Sequence, residues 1–220
     1  MSFLQALTRR LRPSPALDET RWVVLDVESS GLNPARDRLL AVAAVALRFE
    51  GARAWIDAND SFEVLLQQPL DAHAPDKANI LIHGLGLAAQ RAGEPPAQAL
   101  QAFHDWAGSA PRLGFHVGFD RAIIERARAL HAPPRRHTPA ARWLDIEALA
   151  AISHPNVAAK ALDEWLQHFD IPCAERHQAA ADTLATAELL LRLWPALWRA
   201  GARDFTGCAR LVAGRRWLVG

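Results

Sequence analysis

The 220-residue sequence has no tyrosine and only two cysteines, Cys173 and Cys208. Two cysteines without paired spacing argue against a disulfide-stapled scaffold or a zinc site, and they fit a reducing compartment, so we expect a cytoplasmic protein. Long apolar runs are also missing, since none reaches the roughly 18 uncharged residues of a membrane span. Residues 1–11 hold only short apolar stretches broken by polar residues and an arginine pair, which is unlike a signal peptide. We therefore expect no membrane association.

The sequence also lacks an excess of either sign of charge. With 25 Lys and Arg against 24 Asp and Glu, the formal net charge is +1, which by itself does not indicate a nucleic-acid-binding protein. Basic residues are nevertheless concentrated near the two ends of the chain, at Arg9, Arg10, Arg12, Arg199, Arg203, Arg210, Arg215 and Arg216. Such groups usually form a solvated surface, but they could also contact a phosphate backbone.

Hydrophobic patterning predicts one α/β domain, in a chain that is 50% apolar and 22% charged. We expect an N-terminal extension at 1–20, the domain at 21–194, and an apolar and basic tail at 195–220 that packs on the domain or on a partner. Apolar runs predict strands near 22–28, 39–48, 60–66, 112–116 and 142–146. Periodic segments predict helices near 76–82, 85–92, 96–107, 120–131, 147–152, 160–169 and 179–193.

Two carboxylates end the first predicted strand. Its apolar run finishes with Asp26 and Glu28 and then breaks at Ser29, Ser30 and Gly31. Side chains two residues apart on a strand point to the same face, so both carboxylates can approach one cluster of cations. The ordinary alternative is an acidic strand end that enters a solvated turn, and this motif alone does not decide between the two.

Three more candidate residues stand beside the starts of predicted helices. Asp120 follows a short predicted strand, and Asp182 lies one turn into a predicted helix, five residues after His177. Each has a simpler interpretation, since an aspartate in a first turn can cap a helix or complement its dipole, and a loop histidine is usually solvated. Their joint order with the two strand-end acids favours a two-metal phosphodiesterase.

On these residues the chain resembles the DEDDh 3′-to-5′ exonucleases of the ribonuclease H-like fold. Members of that family include the proofreading epsilon subunit of bacterial DNA polymerase III, ribonuclease T and oligoribonuclease. The resemblance covers about residues 21–193, with further matching segments at 82–85, 143–146 and 162–171. It implies an α/β fold with a mixed central β-sheet flanked by α-helices. It also implies hydrolysis of single-stranded nucleic acid from a free 3′ end, with release of nucleoside 5′-monophosphates.

The resemblance further implies two Mg²⁺ or Mn²⁺ ions, hard cations that prefer carboxylate oxygens. Asp26 would bridge both ions. Glu28 and Asp182 would hold the ion that carries the attacking water, while Asp120 would help to hold the other. His177 would be the general base, because a neutral imidazole can take a proton from water. Without cations, four neighbouring carboxylates would repel one another.

Substrate contacts are implied for five residues: Ser30, Gly31, Leu32, His83 and His116. Leu32 would wedge against a base, and the backbone after the first strand would reach the terminal nucleotide. His116 departs from the family pattern, because it takes the place of a usual asparagine while Phe115 takes that of the preceding histidine. An imidazole at this position could still donate a hydrogen bond to a nucleotide.

Other interpretations remain open to test. A haloacid-dehalogenase-type phosphatase also has a strand ending in Asp-x-Asp, but here the third residue is Glu28 and no matching nucleophile-plus-lysine pattern follows. A non-catalytic nucleic-acid-binding module is expected to lack a metal ligand or the base, and none is missing. An oligoribonuclease- or ribonuclease T-like exoribonuclease is an alternative, possible as a homodimer. The tail could contact a second copy or a polymerase, although it has no Gln-x-x-Leu-x-Phe clamp-binding stretch.

Overall fold

The computed structural model describes residues 18–69, Ile80, 84–131, 140–174 and 176–216. Within these ranges one mixed sheet has the strand order β3-β2-β1-β4-β5. The first three strands pair antiparallel, whereas β4 runs parallel to β1 and β5 parallel to β4. The strands are β1 (Arg21–Ser29), β2 (Leu39–Glu50), β3 (Arg53–Leu65), β4 (Arg112–Gly114) and β5 (Trp143–Asp145). The predicted mixed central sheet is confirmed.

Helices cover both faces of this sheet. The described helices are α1 (Leu87–Ala92), α2 (Pro96–Ala107), α3 (Gly118–His131), α4 (Ile146–Ser153), α5 (Leu162–His168), α6 (Ala179–Arg199) and α7 (Phe205–Arg216). Buried residues of α2 and α3 form one core, and buried residues of α4 to α7 form the other. Among the described residues, no helix is both long and apolar enough to cross a membrane.

The alternation of side chains along β1 separates the two cores. Trp22 and Val24 lie in the core that contains α6, while Val23 and Leu25 lie in the core that contains α2 and α3. This is the pattern of a strand buried on both faces. Continuing the alternation places Asp26 and Glu28 on the α6 side of the sheet.

The third strand begins earlier than predicted, at Arg53 rather than near residue 60. A tight hairpin joins it to β2, with Glu50 opposite Arg53 and Gly51 at a φ of 59°, a left-handed conformation that glycine adopts without strain. Its first half is half-buried or exposed, as expected for an edge strand with one solvated face, so it lacks the apolar run used to predict strands.

The C-terminal part of the chain also differs from the sequence-based expectation. Helix α6 does not stop before Pro195 but continues to Arg199, and α7 follows it. A proline inside a helix removes one backbone donor, yet the buried side chain of Leu197 holds this last turn against the core. The predicted boundary after residue 194 therefore lies within α6. The predicted extension up to residue 17 and most of the helix near 76–82 lie outside the described residues.

Candidate active site

The two strand-end carboxylates reach the edge of the sheet on the face that is covered by α6. Asp26 pairs with Ala43 of β2 and Glu28 with Ala41, and a β-bulge follows directly between Glu28 and Ser29. A bulge interrupts the ladder and redirects the chain. Regular pairing therefore ends at the second acid, and the backbone turns away beyond it.

Asp120 comes to the same edge from the neighbouring strand. Because β4 is parallel to β1, the carboxyl ends of both strands lie together, and Asp120 sits in the first turn of α3 just beyond β4. Gly114 permits this close approach, since a Cβ there would stand 2.9 Å from the carbonyl oxygen of Leu25. Asp120 is buried, with only 5% of the residue exposed.

A left-handed residue shapes the turn between β4 and α3. His116 has a φ of 55° and its side chain is exposed. Its backbone N–H donates to Asp145 Oδ1 at 3.1 Å, and the same oxygen accepts from the N–H of Glu147 at 3.0 Å, which caps α4. Asparagine and histidine both tolerate positive φ better than most residues. The backbone therefore accounts for a histidine standing where the resembled family has asparagine.

Asp182 and His177 are fixed to each other at the start of α6. Asp182 Oδ2 accepts the backbone N–H of His177 at 2.9 Å, and Asp182 as a residue is 5% exposed. His177 has a φ of 64° and an exposed residue surface. The aspartate thus holds the loop by its backbone and leaves the imidazole free to face the adjoining cavity.

One cavity of about 520 Å³ joins most of the predicted site residues. Its lining includes Asp26, Glu28, Gly31, Leu32, His116, Asp120, His177 and Asp182. Ser29 lines the cavity but Ser30 does not. The Ser30 side chain faces the adjoining loop, where its hydroxyl accepts the backbone N–H of Arg38 at 2.9 Å. His83 lies outside the described residues. A larger cavity of about 710 Å³, beside Trp143 and α7, contains none of the four acids.

The carboxylates in the cavity destabilise one another's charge. Burial, together with the charges of nearby acids, raises the pKa of Asp26 well above its usual range. Burial and the charges of Asp182 and Asp120 raise the pKa of Glu28 to about 8. Burial also raises the pKa of Asp120 to about 7. A concentration of hard oxygen donors whose negative charges repel one another fits a divalent cation.

Arg176 is a member of this cavity that sequence reasoning missed. Its guanidinium contacts Asp182 through Nη1 and Asp163 of α5 through Nε. Its charge lowers the pKa of both Asp26 and Glu28, against the larger raising effects. Across the described residues, no group of three or more His, Cys, Asp or Glu side chains has ready-made metal-binding geometry. The donor chemistry suits a divalent ion, but an arginine now pairs with one donor.

A mixed sheet with this strand order, helices on both faces and acids at the carboxyl ends of β1 and β4 defines an α/β domain of the ribonuclease H-like fold. The family is given by the sequence. The RNase_T model, described as exonuclease, matches residues 23–190, and the chain therefore belongs to this exonuclease family. The resemblance recognised from the motifs is thereby confirmed.

Relatives and solved structures agree with this assignment. A DNA polymerase III subunit epsilon-like protein of Rhodobacter capsulatus is 30% identical over 194 residues, covering 86% of this chain and 26% of its own length. The PolC-type DNA polymerase III of Bacillus subtilis is 27% identical over 180 residues, covering 80% of this chain and 12% of its own. The chain thus spans about a quarter or less of these two relatives.

Exonuclease I has the same fold. Its E. coli structure with a dT13 oligonucleotide superposes with a TM-score of 0.65 at 19% identity, covering 82% of this chain and 42% of that chain. A zinc-bound complex of the same enzyme with single-stranded DNA gives a TM-score of 0.63 at 21% identity, covering 82% of this chain and 43% of that chain. At this identity the likeness establishes the fold.

Proposed function

We propose that this chain is a divalent-metal-dependent 3′-to-5′ exonuclease that shortens single-stranded DNA and releases nucleoside 5′-monophosphates. The observation that carries the proposal is the single cavity lined by four carboxylates and an exposed histidine, in a chain of the exonuclease family. Direction and product follow from the resemblance to the DEDDh exonucleases. Single-stranded DNA as substrate is suggested by the exonuclease I structures, which include complexes with dA16 and dT13 oligonucleotides.

Carboxylate oxygens are the groups that would hold the metal. Asp26, Glu28 and Asp182 would hold one Mg²⁺ or Mn²⁺ ion, and Asp120 with Asp26 would hold a second. When bound, two such ions supply charge stabilisation for an in-line displacement at phosphorus. The raised pKa values of Asp26 and Glu28 support this role, because cations would relieve the repulsion that raises them.

His177 is the proposed general base. Its imidazole lies on a loop that lines the cavity, and the loop is anchored through the His177 backbone N–H to Asp182. An exposed residue at this position would leave its imidazole accessible from the cavity, where it would accept a proton from the attacking water. Burial of Asp182 at the first turn of α6 fixes the position of this anchor.

The mouth of the cavity is the proposed substrate-binding surface. Leu32 lines it and is 91% exposed, as a side chain that wedges against a base would be. Gly31 and His116 also line the cavity, and contacts from Ser30 and His83 stay predictions. Association with a second copy or a polymerase through the tail is likewise a prediction, as is a cytoplasmic location.

The test uses 5′-labelled single-stranded DNA and RNA oligomers incubated with purified protein and Mn²⁺ or Mg²⁺. We expect a ladder that shortens from the 3′ end of DNA, is abolished by EDTA and by Asp26→Ala, and is retained by Asp105→Asn. Asp105 is a matched control because its carboxylate pairs with Gln101 on the surface of α2. Shortening of RNA alone would favour the exoribonuclease alternative. Intact oligomers that remain bound to the protein would favour a non-catalytic binding module.

A further inference from the structure

Arg176 places one positive charge among the acids of the cavity. It stands in the turn before α6, next to His177, and its side chain is 28% exposed. One end of the guanidinium pairs with the buried Asp182, and the other with Asp163 at the more exposed rim formed by α5. A guanidinium remains charged at any ordinary pH. It therefore acts as a permanent counter-charge at this site.

Both carboxylate oxygens of Asp182 are already engaged. Oδ1 contacts Arg176 Nη1 and lies 3.6 Å from Cys173 Sγ, while Oδ2 accepts the His177 backbone N–H. The Arg176 charge also lowers the pKa of Asp26 and Glu28, so it acts on all three carboxylates that we assign to the ion carrying the attacking water. A divalent ion at these oxygens and the guanidinium at Oδ1 carry like charge. They compete for the same place.

We propose that Arg176 exchanges partners, releasing Asp182 to the divalent ion and binding a phosphate group of the nucleic acid instead. This inference rests on the proposed function, since it takes the acids as metal ligands. The contact of Arg176 Nε with Asp163 does not involve Asp182. This contact would keep the arginine at the cavity after Asp182 is released. The fork of guanidinium N–H groups matches phosphate oxygens in a bidentate arrangement.

The exchange makes metal and nucleotide binding cooperative. Without a nucleotide, the ion must displace Arg176 from Asp182 with no new partner for the guanidinium. With a nucleotide present, the released guanidinium binds the phosphate of the nucleotide. The ion then binds more tightly, because the guanidinium has a new partner. By linkage, the ion must strengthen nucleotide binding by the same factor. Typical couplings of this kind lie at about 5- to 150-fold.

The experiment measures Mn²⁺ binding by titration calorimetry, with and without deoxythymidine 5′-monophosphate, which is a product and is not turned over. In the wild-type chain we expect the nucleotide to tighten Mn²⁺ binding at least about fivefold. In Arg176→Gln, Mn²⁺ alone should bind about tenfold more tightly, and the effect of the nucleotide should fall below about twofold. Arg192→Gln on α6, which loses only an exposed pair with Glu188, should behave as the wild type.

Several outcomes overturn the inference. One is an Arg176→Gln variant in which the nucleotide tightens Mn²⁺ binding as much as in the wild type. Another is an Arg176→Gln variant that binds Mn²⁺ more tightly but has unchanged nucleotide affinity, since the arginine would then be only a competing charge. If the wild type binds Mn²⁺ in an Asp26-dependent way while Arg176→Gln matches it, only this inference fails. If neither protein binds Mn²⁺ even with the nucleotide, the proposed metal-dependent function fails with it.

Discussion

At the scale of single residues, the buried acids of the cavity lower the stability of the metal-free fold. Glu28 has its pKa raised to about 8, and Asp120 to about 7, because both are desolvated beside other acids. A carboxyl group whose pKa is raised by folding weakens the fold as pH rises through its unfolded value toward its folded value. Groups held at such a cost are characteristic of functional sites.

Glu28→Gln should stabilise the metal-free protein and inactivate it. Removing one of the clustered carboxylates lowers the repulsion, so we expect the free energy of unfolding in EDTA at pH 7 to rise by roughly 1 kcal/mol. The proposed exonuclease activity should fall at least about 100-fold, since one of the proposed metal-binding carboxylates is lost. Urea unfolding and the oligonucleotide assay measure the two effects. Glu125→Gln, which breaks an exposed pair with Arg121 on α3, is the control and should show neither change.

The two thiols should differ in reactivity. Cys208 is fully buried in α7, and burial raises its pKa to about 12, whereas Cys173 is half-buried beside Asp182. Because the thiolate is the reactive form, iodoacetamide should modify Cys173 and leave Cys208 intact in the native protein. The attached group would crowd Asp182, so activity should fall with modification. Peptide mass spectrometry reads the labelled site, and Cys173→Ser should be active and resist the reagent.

At the scale of elements, the two turns that enter α3 and α6 share one device. Each contains a histidine at positive φ, His116 at 55° and His177 at 64°, close to the aspartate in the first turn of the helix. Side chains at such positions are chosen by backbone geometry as well as by chemistry. The unusual His116 thus keeps the local fold that an asparagine would support.

Substitutions at His116 should separate backbone from side-chain roles. His116→Asn should leave the free energy of unfolding nearly unchanged, because asparagine tolerates the left-handed conformation. His116→Val should lower it by about 1–2 kcal/mol, because a β-branched side chain does not. Urea unfolding measures both. Equal stability of the two variants would show that this turn relaxes to negative φ.

Arginines tie the edge strand to its neighbours. Asp60 of β3 accepts from Arg21 Nε at 2.6 Å and from Arg48 Nη2 at 3.1 Å. The hydrogen bond from Arg21, followed by the charges of Arg21 and Arg48, lowers the pKa of Asp60. This contribution to stability is therefore full above the unfolded pKa of about 4 and is lost as pH falls through the folded value.

Asp60→Asn should accordingly destabilise the protein in a pH-dependent way. We expect a loss of about 1 kcal/mol at pH 7, a modest value because water screens part of the pair. The difference from the wild type should shrink progressively below about pH 4. Urea unfolding across this range measures it, with Asp105→Asn as the surface control. A difference that is constant with pH would point to lost packing rather than lost charge.

At the scale of the whole molecule, the sequence predicted what depends on local pattern. The acid positions at the end of β1 follow from alternation, and the helices near Asp120 and Asp182 follow from apolar periodicity. Arg176 was missed because its partners, Asp163 and Asp182, are set by how α5 packs beside α6. The first half of β3 was missed because an edge strand carries polar residues. The packing of the tail was expected, but helix α7 was not predicted because its apolar residues lack a clear helical period and its sequence contains Gly207 and Gly214.

The C-terminal segment is part of the core rather than an appendage. Phe205 of α7 is buried edge-to-face against Trp22 of β1, with ring centroids 5.8 Å apart. Phe205→Ala should therefore lower the free energy of unfolding by about 3 kcal/mol through the cavity it creates. Thr206→Ala, at the adjacent exposed position, should change it by less than about 0.5 kcal/mol. Thermal and urea unfolding compare them; equal effects would mean that α7 detaches in solution.

The face of β1 that carries Trp22 and Val24 also carries Asp26 and Glu28, so one strand register decides both packing and chemistry. A one-residue shift in the register of β1 would turn the acids toward the opposite apolar core. It would also turn the aliphatic side chains of that core toward the cavity. The proposed exonuclease activity would then be lost together with the fold. In a mutagenesis library, a screen for the proposed nuclease activity would therefore select variants in which β1 keeps its register.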